Sequence, residues 1–294
     1  MKRTVIDVDF LEQKSIFFRG RLGKWLARVV LHLLAIDRIN WAYGRSCDRT
    51  GAAFAEGLLK DFGVDYRVGN ADRLQQLPEG AFITVSNHPY GGLDGIILIH
   101  LMAGIRSDYK VMVNQILTLI EAMDENFISV QPRIGHNTTP SAAAINGVRE
   151  TLYQLKNGHP VGCFPAGAVS MFKFNNFRIR DREWQDGILK LIHLAKVPVL
   201  PIRFYDTNSI FFYFLGVISW KIRTLRMPYE LFNKKGHRPR IGIGELIPSE
   251  EIAKFTDTKS LGVFLRNKVY EMPLPATFAS KTELKFTENT SVPV

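Results

Sequence analysis

Ala81-Phe82-Ile83-Thr84-Val85-Ser86-Asn87-His88-Pro89-Tyr90-Gly91-Gly92-Leu93-Asp94 is a short apolar run that breaks into a polar, glycine-rich turn. Ala81–Ser86 reads as a buried strand, and Gly92–Ala103 as the helix that follows it. Downstream the alternation continues. Tyr109–Val113 reads as a strand, Ile116–Met123 as a helix and Phe127–Val130 as a strand. Ser141–Lys156 reads as a helix started near Pro140 and closed by Asn157-Gly158. Pro160–Phe164 is the next strand, Gly187–Ala195 a helix, and Val199–Phe204 a strand. Strands separated by helices need crossover connections, so the expected class is α/β with a largely parallel central sheet flanked by helices. In such sheets ligands bind beyond the carboxyl ends of the strands. His88 follows one strand there, and Phe164-Pro165-Ala166-Gly167-Ala168-Val169-Ser170 follows another.

Residues 14–45 have apolar side chains at helical spacing, among them Leu22, Trp25, Leu26 and Leu33, with Arg19, Arg21, Lys24 and Arg28 on much of the remaining face. This amphipathic N-terminal segment fits either a helix lying in a membrane interface or one packed on the domain with a solvated basic face. A second helix is expected from Cys47 to Phe62. Ile210–Trp220, followed by Lys221, Arg223 and Arg226, leaves the same pair open: lipid-headgroup contact or a core helix. Ile247–Met272 reads as further helix. The expected organisation is an N-terminal helical membrane-association segment over 1–62, an α/β domain over 63–274 and a poorly ordered tail over 275–294.

A hydrophobic share of 46% excludes collagen-like and disordered classes. The net charge of +10 attracts anions, and the cations lie beside apolar clusters rather than in one run, which favours an anionic membrane surface over nucleic acid. Met1–Phe10 is too charged for a signal peptide, and the longest apolar runs are too short to span a bilayer. Cys47 and Cys163 read as reduced thiols, and the histidines lack ligand spacing, so no metal is expected.

A histidine at a strand end, before a helix N-terminus, is kept neutral and basic. Asp94, in the first turn, can hold the other ring nitrogen and fix the tautomer. The pair is the arrangement of a general base with its orienter, although a structural hydrogen bond is the alternative for any His–Asp pair. Gly91 and Gly92 permit the backbone to return the aspartate toward the imidazole. The small residues around Gly167 let backbone N–H groups approach a ligand, or simply make a tight turn. Lys173, Arg178, Arg180 and Arg182 can meet an anionic headgroup or carrier, or form a solvated basic loop.

Four ordered segments resemble the glycerolipid acyltransferase family, the lysophosphatidate-acyltransferase-like enzymes. Asn87-His88 with Asp94 is similar to its His-x4-Asp block, with one extra residue between the pair. Asn126-Phe127-Ile128 is similar to the second block, but Ser129-Val130 stands where Asp-Arg is usual. Phe164–Ser170 is similar to Phe-Pro-Glu-Gly-Thr-Arg-Ser, with Ala166 for Glu and Val169 for Arg. Val197-Pro198-Val199-Leu200-Pro201-Ile202 is similar to the fourth block. The combination most resembles a hemolysin-like bacterial subgroup that includes ornithine- and glycine-type aminolipid O-acyltransferases.

The resemblance implies a glycerol-3-phosphate acyltransferase-like fold and transfer of a fatty acyl group from acyl carrier protein or acyl-CoA, used as co-substrate with no cofactor. It implies His88 and Asp94 as catalytic residues. Asn87, Gly91, Gly92, Phe164, Pro165, Ala166, Gly167, Ser170, Arg133 and Lys173 are then candidates for substrate binding. The acceptor is expected to be a lyso-aminolipid hydroxyl, because both usual phosphate-binding arginines are missing and Arg133 is the one candidate substitute. Lysophosphatidate is the alternative acceptor, and a non-catalytic membrane-binding protein the alternative of another class. The expected location is the cytoplasmic face of the bacterial inner membrane, peripheral or monotopic.

Overall fold

The computed structural model describes residues 3–130 and 142–284. Helices α1 (Val8–Lys14), α2 (Gly20–Leu33), α3 (Ile36–Ser46) and α4 (Gly51–Phe62) open the chain. Then come β1 (Arg67–Gly69), β2 (Ile83–Ser86), α5 (Gly92–Ile105), β3 (Lys110–Asn114) and β4 (Phe127–Val130). They are followed by α6 (Ala142–Lys156), β5 (Val161–Cys163), β6 (Met171–Lys173), β7 (Arg178–Arg180), α7 (Asp186–Ala195) and β8 (Val199–Phe204). The last stretch holds α8 (Ile210–Ile218), α9 (Trp220–Phe232), β9 (Arg240–Ile243), α10 (Ser249–Ile252), α11 (Thr258–Tyr270) and β10 (Phe278–Ser280).

The central sheet has the order β10-β1-β9-β8-β2-β5-β3-β4. From β8 to β4 every pairing is parallel, as the alternation predicts. Strands β9 and β1 run parallel to each other, but β9 pairs antiparallel with β8 and β1 with β10. Successive strand residues point to opposite faces. Phe82, Leu200, Ile202 and Phe204 therefore join a core with α4 and α5, while Ile83, Val85, Val199 and Cys163 join a second core with α7 and α11. With helices on both faces, β2 lies inside the parallel part, between β8 and β5. That position carries the turn holding His88 to the middle of the sheet's carboxyl edge.

Several expectations need correction. Residues 14–45 are not one helix. Ile16–Phe18 forms a separate 3-10 turn behind the Ser15 cap, and Ala35, at φ +57°, divides α2 from α3. Residues 115–126 form two 3-10 segments rather than the expected helix over Ile116–Met123. Phe278–Ser280, within the stretch expected to be a poorly ordered tail, pairs with β1 instead. Its backbone completes an edge that Arg67–Gly69 would otherwise leave open. Within 1–62, α3 and α4 contribute Tyr43, Phe54 and Leu59 to the main core. The apolar outer side of α2 is bare: Leu22, Trp25, Leu26 and Leu33 are exposed, while Gly23, Ala27 and Leu31 face inward. Among the described residues no helix is long and apolar enough to cross a membrane.

Candidate active site

The turn after β2 is fixed at both ends. The Asn87 amide donates to the Phe204 carbonyl and accepts from the Phe204 N–H, each at 2.8 Å, clamping β2 to β8. Asn87 is buried, and the structure shows it clamping the two strands. Gly91, at φ +78°, makes the sharp return into α5. A side chain there would collide with Met227 of α9 as well as strain the backbone, so both constraints select glycine.

Asp94 lies at the third helical position and is fully buried. Its Oδ2 accepts the N–H groups of Tyr90 (2.8 Å) and Gly91 (2.9 Å) and stands 3.0 Å from His88 Nδ1. Burial pushes its carboxyl above the ordinary carboxylate range, and the His88 ring and two N–H groups offset only part of this. His88 Nδ1 is close to Asp94 but out of line for a hydrogen bond, and among the described residues Asp94 Oδ1 has no donor. Such bonds commonly align only when substrate binds. The ring is stacked on Phe164, with centroids 4.1 Å apart and planes at 27°. The Nδ1 edge of the ring faces Asp94, which leaves Nε2 as the other ring nitrogen.

The loop after β5 forms the second wall. Gly167 adopts φ +60°, and its N–H closes a turn onto the Phe164 carbonyl at 2.8 Å. That N–H is engaged, as are those of Tyr90 and Gly91. Pro165 and Ala166 are buried, and their carbonyls are held by Gln185 and Arg182. Ser170 is buried too: its N–H donates to the His88 carbonyl at 2.8 Å, its hydroxyl to Asp181, and its carbonyl accepts from Arg223. Pro165, Ala166 and Ser170 thus shape the wall. Gly92 begins α5 beside His88. Lys173 is in the β6–β7 hairpin, and Arg133 lies outside the described residues.

The residue that sequence reasoning missed is Asp181. Its carboxylate receives the His88 N–H (3.2 Å), the Ser170 hydroxyl and the Trp184 indole (3.3 Å), joining both walls of the site. Its place between Arg180 and Arg182 gave it the look of a loop charge. Helix α9 was missed as a third wall. Met227 presses on Gly91, and Arg223 grips the Val169 and Ser170 carbonyls.

A family model described as acyltransferase matches residues 14–274. The chain belongs to the acyltransferase family. It is 26% identical over 277 residues to a lyso-glycine lipid O-acyltransferase of Bacteroides thetaiotaomicron, with 91% of this chain and 97% of that one aligned. It is 24% identical over 281 residues to a lyso-glycine lipid O-acyltransferase of Phocaeicola vulgatus, covering 91% and 95%. The crystal structure of the 1-acyl-sn-glycerophosphate acyltransferase PlsC of Thermotoga maritima superposes with a TM-score of 0.48, at 14% identity over 90% of each chain. The family assignment agrees with the four blocks. In this acyltransferase the first follows β2, the second begins β4, the third follows β5 and the fourth runs into β8.

Proposed function

We propose that this acyltransferase moves a fatty acyl group from a thioester to the hydroxyl of a lyso-glycine-type aminolipid, with His88 as general base and Asp94 as its orienting partner. The observation that carries the acceptor is Val169, in the third block. Where the related block has a phosphate-binding arginine, Val169 packs its Cγ2 toward Gly91. No apolar side chain can replace a bidentate phosphate donor. A 3-hydroxyacyl amide of glycine carries no phosphate, and the two lyso-glycine lipid enzymes align over nearly all of this chain.

His88 Nε2 takes the proton as the lipid oxygen attacks the thioester carbonyl and the new C–O bond forms. The tetrahedral intermediate then expels the thiolate, which takes the proton back from the imidazolium. Asp94 stabilises the imidazolium in between. Since the N–H groups of Tyr90, Gly91 and Gly167 are engaged, oxyanion donors are to be sought at the first N–H groups of α5, Gly92 and Leu93, which lack intrahelical partners. No resident cofactor enters these steps.

Membrane association at the cytoplasmic face is part of the same proposal. It is supported by the bare outer side of α2, flanked by Arg21, Lys24 and Arg28, and by exposed Ile210, Phe211, Phe214 and Trp220 on α8 and α9 next to Lys221. The test is a side-by-side acylation assay on lyso-glycine lipid, lyso-ornithine lipid and lysophosphatidate. Lyso-glycine lipid is expected to be preferred, and His88→Ala to lower turnover at least about a hundredfold. A preference for lysophosphatidate removes the acceptor assignment, and normal turnover by His88→Ala removes the mechanism.

A further inference from the structure

Three guanidinium groups converge on Tyr270, at the end of α11. Arg180, from β7, lies over the ring at 4.2 Å from its centroid. Arg266, one helical turn before Tyr270, is 5.4 Å from the same centroid. Arg203, on β8, donates through Nη1 to the carbonyls of Tyr270 (2.7 Å) and Met272 (2.6 Å). All three are half-buried. Among the described residues, none of them has a carboxylate within ion-pair reach.

Among the described residues no carboxylate is paired with these guanidinium groups, and the single nearby one, Asp181, leaves the cluster net positive. The adjacent Asp181 carboxylate is taken by Ser170, Trp184 and the His88 N–H. Burial pushes the Tyr270 hydroxyl well up, so the phenol stays neutral. Burial and then the charge of Arg180 hold Arg203 below the ordinary arginine value. Arg266 donates through Nη2 to the Asp181 carbonyl (2.9 Å), and its Nε is buried with no partner among the described residues. Like charges gathered in a half-buried site without a counterion repel one another and favour an incoming anion. Guanidinium forks suit phosphate oxygens in particular.

The cluster adjoins the reaction centre. The Asp181 N–H donates to the Tyr270 hydroxyl oxygen at 2.8 Å, and Asp181 Oδ1 accepts the His88 N–H. In the reaction proposed above, the acceptor lacks phosphate and the donor has it. Coenzyme A and acyl carrier protein both present their thioester on a long phosphopantetheine arm. We infer that Arg180, Arg203 and Arg266 form the dock for the phosphate of that arm, a site that rests on the proposed acyl transfer and adds to it the place where the donor is held.

Calorimetric titration of the full chain with 4′-phosphopantetheine and with pantetheine tests the dock directly. Wild type is expected to bind the phosphorylated compound about tenfold or more tighter, a margin that one charge-assisted contact supplies. Arg180→Gln, whose side chain makes no hydrogen bond among the described residues, is expected to erase most of that margin, and Arg266→Gln to do the same, with thermal melts recorded for both. In turnover, the loss should appear in KM for the donor with acyl-CoA and with acyl carrier protein alike. Loss with acyl-CoA alone would assign the cluster to the adenosine phosphates and overturn the shared-arm dock. Equal binding of the two pantetheine compounds by wild type, or a raised KM for the lipid acceptor instead, overturns it as well. If wild type transfers from no thioester, the acyl-transfer proposal fails, while the titration still decides the anion site.

Discussion

Asp94, the proposed orienter of His88, carries a cost to the fold. Its Oδ2 ties down Tyr90 and Gly91 and faces His88, yet the whole carboxyl group is buried and its Oδ1 has no donor among the described residues. Its pKa is raised on folding, chiefly by burial. A carboxyl raised in this way supports the folded state below its unfolded value and loses that contribution as pH rises through the folded value. Wild type should therefore give up stability as pH climbs above the ordinary carboxylate range. Asp94→Asn keeps an oxygen for the two N–H groups but has no charge to bury. Its Tm is expected to equal or exceed that of wild type at pH 8, with the difference shrinking toward acid, while turnover drops at least about a hundredfold because the imidazolium loses its counter-charge. Paired melting curves and rates across pH check this; an active variant that melts well below wild type at pH 8 would contradict it.

At the scale of elements, α2 shows how a helix can be built to face two media. Gly23 fits against the Phe18 and Phe17 carbonyls, where a Cβ would clash, and Ala27 and Leu31 continue that inner stripe. The bulky residues Leu22, Trp25 and Leu33 are left outside. Replacing Leu22 and Trp25 with Glu touches no buried contact, so the melting temperature should hold. Vesicle sedimentation should nonetheless fall by about tenfold or more, since burial of each apolar side chain in lipid contributes about 1.5–3 kcal/mol. Unchanged sedimentation would place the membrane contact elsewhere. The same helix marks where the sequence stopped being readable. Its amphipathic spacing was plain, but the left-handed Ala35 that divides it from α3 has no glycine to announce it. Between Ala81 and Phe204 the strands of the central sheet are apolar and bounded by turn residues, so their succession along the chain and the parallel class could be read. Strands β1, β9 and β10 lie outside that alternation of strand and helix, and their place is seen in their pairing with one another and with β8. In the site, His88 and Asp94 stood out through spacing within one turn. Asp181 and Arg223 act across long sequence separations, and only the folded backbone shows that their partners are Ser170 and His88.

The whole molecule joins two kinds of attraction that salt can separate. Apolar side chains are exposed on α2 and again on α8 and α9, and α9 also packs on the His88 turn through Met227. Around them the chain carries a net charge of +10. Apolar burial is little affected by moderate salt, whereas exposed charges more than about 10 Å apart are already screened at roughly 0.1 M. Binding to zwitterionic vesicles should thus change little as salt is raised, and binding to anionic vesicles should start tighter and fall toward the zwitterionic value. The rate with acyl carrier protein, an acidic donor, should fall along the same salt axis in its kcat/KM, because steering acts on encounter. An acyl-pantetheine donor has no charge to steer, and its rate supplies the internal reference. Parallel salt titrations of vesicle binding and of both donors measure all of these. If anionic and zwitterionic vesicles bind alike at low salt, the positive surface does not serve the membrane and its role narrows to the donor.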